Sequence, residues 1–189
     1  MVFSACFETA LNKQSLLSAE WVFAYGSLIW NPEFDFDASV LGTVFGYHRN
    51  FCIRSTKYRG TPSEPGVVLG LAKGGSCVGV AYKLKEDSKH RSLKALYERE
   101  MLNEVYCPRM ICVTLGDTRK IQALTFTANR TSNAYQNLDD AQVLARLRSC
   151  VGERGPNKDY AVNTFHALKA KGVTDRRLER LTAHLSRYE

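Results

Sequence analysis

Between residues 21 and 128 the apolar side chains fall in short runs rich in aromatic and β-branched residues, punctuated by Gly, Pro and Asn; from residue 139 onward they recur at helical spacing. A chain patterned in this way builds a sheet first and packs its helices on it afterwards. Hairpin-length connections make that sheet largely antiparallel, so the pattern predicts an α+β fold with the sheet curled toward a barrel. Strands are predicted over 21–25, 41–53, 67–72, 77–84, 105–115 and 121–128. Gly42 and Gly46 mark bulges or bends, and Lys73-Gly74-Gly75-Ser76 marks a hairpin turn. One helix, capped by Asp87 or Ser88, interrupts the strands and runs to about residue 102; three more span 139–150, 157–171 and 174–187. Residues 1–20 read as an arm or short helix, and 21–189 as a single domain.

With 189 residues, 44% hydrophobic and 11% aromatic, the chain can bury one continuous core. No run of 18 apolar residues exists, and the first twenty residues carry Glu8, Lys13 and Glu20 without a sustained apolar stretch. The expectation is a cytoplasmic protein with no membrane partner, a monomer or weak dimer. The net charge of +7 invites an anionic partner, nucleic acid first. Its distribution argues otherwise: residues 139–189 hold ten Lys or Arg against seven Asp or Glu, a mixed surface with no basic stripe. A small acidic substrate uses the same field. Six scattered cysteines without CxxC spacing read as reduced core thiols, and four histidines without ligand spacing give no metal site. No cofactor is expected.

Two places in the sequence carry chemistry. The strand WVFA runs into Tyr25-Gly26-Ser27-Leu28, where Gly26 lets the backbone turn and the following amides converge, either as plain chain reversal or as an anion cradle. Ser27 lacks the GxSxG elbow of a nucleophile. The second place is Glu100, which continues the apolar stripe of Leu93, Leu96 and Tyr97. A carboxylate on an inward face is costly unless paired, protonated or used. A buried salt bridge to Arg99 or Arg54 is one explanation and catalysis the other. Glu98 is explained by an i,i+4 pair with Lys94.

The segments WVFAYGSLIW, RSTKYRGTPSEPGVVLGLAKGGSCVGVAYKL, LYERE and GERGPNKDY, in this order, closely resemble the ChaC family of γ-glutamylcyclotransferases. The likeness runs from about residue 21 to 185. It implies a γ-glutamylcyclotransferase-like curled mixed sheet with flanking helices, and cleavage of glutathione to 5-oxoproline and cysteinylglycine. It also implies Glu100 as general acid/base and the turn of Tyr25, Gly26, Ser27 and Leu28 as a substrate site. Tyr160 resembles the family's Tyr after the Gly-rich turn, although Tyr160, Ala161, Thr164, Phe165 and Leu168 equally form an apolar helical face.

The chemistry implied needs neither metal nor enzyme nucleophile, because the substrate's own α-amine closes a five-membered ring on its γ-carbonyl. One carboxylate can take the ammonium proton and return it to the leaving nitrogen, provided burial raises its pKa. The backbone amides of 26–28 would hold the α-carboxylate, so a Cβ at Gly26 should harm binding more than stability. Arg54 and Arg59 are candidates for the glycyl carboxylate, with a brace for the 58–66 loop the alternative role for Arg59. Two other functions remain open: cyclotransfer on other γ-glutamyl amino acids or amines, and a non-catalytic role linked to cation transport.

Overall fold

The computed structural model describes residues 16, 18–101 and 104–186. The arm or short helix expected over residues 1–20 falls mostly outside them. Strands β1 (Trp21–Ala24), β2 (Phe36–Ser55), β3 (Gly66–Leu84), β4 (Tyr106–Leu115) and β5 (Lys120–Ala128) close a barrel in the order β1-β3-β2-β4-β5. A small ribbon of β6 (Val151–Gly152) and β7 (Gly155–Pro156) stands apart. The helices are α1 (Lys89–Met101), α2 (Asp140–Ser149), α3 (Asn157–Ala170) and α4 (Arg176–Ser186). Among the described residues no helix is long and apolar enough to cross a membrane.

β1 pairs antiparallel with β3 and, at Val22↔Leu124, parallel with β5. Flanked on both edges, its Val22, Phe23 and Ala24 are buried. That is why the stretch reads as a continuous apolar run rather than an alternating one. The other strand pairs are antiparallel apart from a single β3–β5 contact, Leu71↔Thr127, so the expected mixed sheet is present as a closed ring.

The hairpin expected around residues 73–76 is absent. Residues 67–72 and 77–84 are not two strands of a hairpin but a single strand, β3, antiparallel to β2 from Phe36↔Leu84 to Ser55↔Gly66. Lys73–Ser76 does not reverse the chain. The register steps from Phe45↔Ser76 to Tyr47↔Lys73, with Gly74 and Gly75 (φ +102° and +69°) opposite Gly46 (φ +80°). Two residues facing one is a β-bulge, which bends both strands, and the positive φ that suggested a turn serves that bend. Gly42 lies in unbroken register and makes no bulge. A Cβ there would meet Val113 Cγ1 at 2.5 Å, so it is small for packing against β4.

The helices begin and end close to the expected positions. Asp139 caps α2 through a reciprocal box: its carboxylate accepts from the Gln142 amide at 2.8 Å, and Gln142 Oε1 accepts from the Asp139 amide at 3.0 Å. Ala161 and Leu168 of α3 and Leu178, Leu181 and Leu185 of α4 join Phe23, Val44, Leu71 and Leu124 in one hydrophobic core. Cys52, Cys77, Cys112 and Cys150 are free thiols, whereas Cys107 is disulfide-bonded, a departure from six reduced cysteines.

Candidate active site

The site is built where backbone closure of the barrel is weakest. In an antiparallel strand alternate residues aim their peptide groups at the same edge, so Val67, Leu69 and Leu71 of β3 face β5 together. Of the three, only Leu71 finds a partner on β5. Val67 is paired instead by Asn157, whose Oδ1 accepts from the Val67 amide at 2.7 Å and whose Nδ2 donates to the Val67 carbonyl at 2.8 Å. At Leu69 the amide donates to Tyr160 Oη at 3.2 Å, and the carbonyl accepts from Tyr106 Oη at 2.9 Å. Asn157 and Tyr160 lie three residues apart and share a face of α3. A third tyrosine, Tyr25, donates to the Phe126 carbonyl at 2.7 Å. Burial is the largest effect raising the pKa of all three phenols, Tyr160 to about 12, so they are hydrogen-bonding groups and not bases at neutral pH.

Beside this seam β1 ends and the chain makes a single 3₁₀ turn, Ser27–Ile29. Its bonds begin with Ile29 donating to the Gly26 carbonyl at 3.0 Å and Trp30 to the Ser27 carbonyl at 3.1 Å. The amides of Gly26, Ser27 and Leu28 therefore stand at the head of a helical turn, where no intraturn carbonyl can reach them. The turn is fixed on three sides. Arg49 Nε donates to the Tyr25 carbonyl at 2.5 Å, Trp30 Nε1 donates to Thr164 Oγ1 at 3.1 Å, and Leu28 is buried. A Cβ at Gly26 would come within 3.1 Å of Tyr160 Oη.

Glu100 arrives from α1, whose Ser92, Leu93 and Leu96 are buried. Its side chain is 16% exposed. Burial is the dominant influence and pushes its pKa up; Arg99 and Arg154 oppose that and Glu33 adds to it. Consecutive residues of a helix point about 100° apart, so Arg99 meets Glu100 only by folding back, with Nε 3.3 Å from Oε1. The far end of the guanidinium is tied elsewhere, Nη1 to Glu33 Oε2 at 2.6 Å and Nη2 to Ser27 Oγ at 3.3 Å. Glu98 is exposed, as expected.

Two cavities meet at these residues. A small one of about 30 Å³ is lined by Tyr25, Gly26, Ser27, Leu28, Leu69, Glu100, Tyr106 and Tyr160, with Phe23 and Phe126 behind. An open one of about 620 Å³ shares Ser27, Glu100, Tyr106 and Tyr160 and extends past Arg54, Arg59, Arg99, Arg154 and Lys57. Arg54 Nη2 donates to the Pro62 carbonyl at 3.3 Å, while its Nε is buried without a hydrogen-bond partner. Arg59 is buried, with Nη1 3.0 Å from the Pro156 carbonyl and the guanidinium 5.8 Å from the Tyr160 ring centre. These are the contacts of a loop brace, although Arg59 also lines the cavity.

All eight site residues expected from the sequence thus border one or both cavities. Arg99 had figured only as a salt-bridge partner, and Tyr106, Asn157, Arg49 and Arg154 not at all. The pairing of RE at the end of the α1 stripe was the one local signal for Arg99. Asn157 and Tyr106 act on residues far away in sequence and leave no periodic trace. Among the described residues no group of three or more His, Cys, Asp or Glu stands close enough to hold a metal ion.

A model of the ChaC-like protein family matches residues 20–188. A glutathione-specific γ-glutamylcyclotransferase of Escherichia coli K12 is 38% identical over 156 residues, covering 82% of this chain and 68% of the relative. The Arabidopsis thaliana protein named γ-glutamylcyclotransferase 2-3 is 35% identical over 167 residues, covering 84% of each. Among solved structures, the yeast γ-glutamyl cyclotransferase specific to glutathione superposes with a TM-score of 0.83 at 20% identity, covering 91% of this chain and 97% of that one. The barrel, the Tyr25–Leu28 turn and the inward Glu100 thus sit in a sequence that matches one family model over nearly its whole length, and the chain belongs to the ChaC-like family.

Proposed function

We propose that this protein is a γ-glutamylcyclotransferase that cleaves glutathione to 5-oxoproline and cysteinylglycine, with Glu100 as general acid/base. The observation that carries the reading is a largely enclosed carboxyl of raised pKa sharing a small pocket with the Gly26–Leu28 turn, whose amides stand at the head of a 3₁₀ helix. The names of the bacterial and yeast relatives support the same substrate. The amides receive the γ-glutamyl α-carboxylate, whose charge suits the head of a helical turn. This presents the α-ammonium to Glu100, which removes one proton. The amine nitrogen then attacks the γ-carbon, and Glu100 returns that proton to the cysteinyl nitrogen as the γ-carbon–cysteinyl nitrogen bond breaks. The ring nitrogen, still carrying two hydrogens, sheds a second proton that is taken up by the released amine, leaving a lactam N–H and a cysteinylglycine ammonium. Holding amine against carbonyl supplies on the order of 7–11 kcal/mol of the barrier reduction in well-oriented intramolecular reactions.

The wide outer cavity takes the cysteinylglycine half. Arg54 lines it, and its guanidinium is a group suited to the glycyl carboxylate. Arg59, already bound to Pro156, contributes field and packing more than a direct contact. The test is 5-oxoproline release by purified protein from glutathione and a panel of γ-glutamyl amino acids. Turnover of glutathione is expected, falling roughly 10²- to 10⁴-fold in Glu100→Gln with the fold intact. Preference for other γ-glutamyl compounds would move the substrate, and no turnover by folded wild type would overturn the reading.

A further inference from the structure

Arg99 is placed as no simple ion pair requires. It touches the base through Nε, the substrate turn through Nη2 on Ser27 Oγ, and Glu33 through Nη1, so one guanidinium spans the catalytic group and the anion cradle. Glu33 itself sits at φ +55°, an uncommon backbone for a residue with a side chain, and its other oxygen accepts from Asn31 Nδ2 at 2.7 Å. The Glu33 carboxylate is thus fixed, and with it the outer end of Arg99. A ligand carboxylate seated on the amides of 26–28 would lie against the same guanidinium that contacts Ser27.

We propose, resting on the cyclotransferase reading, that Arg99 is a second receptor for the γ-glutamyl α-carboxylate, shared with Glu100 in the free protein and drawn toward the substrate on binding. The transfer has a chemical consequence. In the free protein Arg99 favours the ionised form of Glu100, opposing burial. A substrate carboxylate at Arg99 spends that positive charge, so Glu100 becomes a stronger base at the moment the ammonium is presented. The other groups acting on Glu100 do not move in this scheme. They are Glu33 and Arg154, on the loop side, and the phenols of Tyr25, Tyr106 and Tyr160 across the small pocket. The scheme keeps the proton balance: the α-nitrogen gives up two protons on its way to the lactam, the first passing through Glu100 to the cysteinyl nitrogen and the second following after ring closure to leave the released amine as an ammonium.

The experiment compares calorimetric binding of S-methylglutathione with that of its α-carboxamide analogue, in Glu100→Gln to prevent turnover, with Arg99 intact, changed to Lys, or changed to Gln. The intact protein is expected to prefer the carboxylate by on the order of 10- to 100-fold, as for hydrogen bonds to charged groups. Arg99→Gln should remove most of that preference while leaving affinity for the carboxamide near its original value, and Arg99→Lys should restore part of it. In the protein with Glu100 present, the acid limb of kcat/KM, which reports the free protein, should move to higher pH in Arg99→Gln. Equal losses for both ligands, or an unchanged acid limb, would overturn the proposal and leave Arg99 a brace. Failure of the intact protein to bind either ligand or to release 5-oxoproline would instead overturn the cyclotransferase reading and this inference with it.

Discussion

Gly26 and Glu100 carry the site, and the sequence gives each away differently. Glu100 was legible because it interrupts an apolar stripe at helical spacing, and burial is what raises its pKa. Gly26 was legible as a turn residue, but the reason it must stay small is Tyr160, which comes from a helix more than a hundred residues on and gives no local sign. In Gly26→Ala the new Cβ presses on Tyr160 Oη at 3.1 Å, the same oxygen that accepts from Leu69. About 1 kcal/mol of stability is expected to be lost, as in mild overpacking, together with at least a roughly tenfold rise in KM for glutathione, because the turn and the pocket wall are displaced together. Steady-state kinetics beside urea unfolding checks this; a fall in stability with unchanged KM would mean the turn does not touch substrate.

At the scale of elements, the sequence disclosed periods and caps and concealed how elements meet. Asp139 and Gln142 announce α2 because a capping box is a local device. The Lys73–Ser76 glycines misled because positive φ serves a bulge as well as a turn, and only the partner strand decides between them. Asn157 was silent for the same kind of reason, since its partner is the Val67 peptide ninety residues away. Yet α3 docks on β3 through it. Asn157→Leu removes both hydrogen bonds inside the core and strands a buried amide and a buried carbonyl. A loss of roughly 2–6 kcal/mol is expected by denaturant unfolding, at about 1–3 kcal/mol for each group left bare. A change under 1 kcal/mol would show that the strand edge finds other partners.

Across the whole molecule, Glu100 couples function to stability through pH. Its carboxyl is raised in the folded chain, so between the unfolded value of ~4.3 and the raised folded value the native state binds more protons than the unfolded one. Stability from this group is therefore fully present below the unfolded value and declines as pH rises through the folded value. Glu100→Gln lacks the titration. The stability of Glu100→Gln relative to wild type is expected to increase with pH across that window and then level off, measured by urea unfolding at a series of pH values. A constant difference would mean that Glu100 titrates alike in both states.

The seam through Val67 and Leu69 closes the barrel by side chains instead of a backbone ladder. A ring closed by a backbone ladder opens only by separating strands, which belongs to global unfolding. Here three side chains, Asn157, Tyr160 and Tyr106, act as clasps on an otherwise continuous strip. Two sets of bonds therefore hold the molecule here: backbone ladders hold the strands that aim the turn, while a few side-chain hydrogen bonds, each of which a single substitution can remove, hold the wall of the pocket.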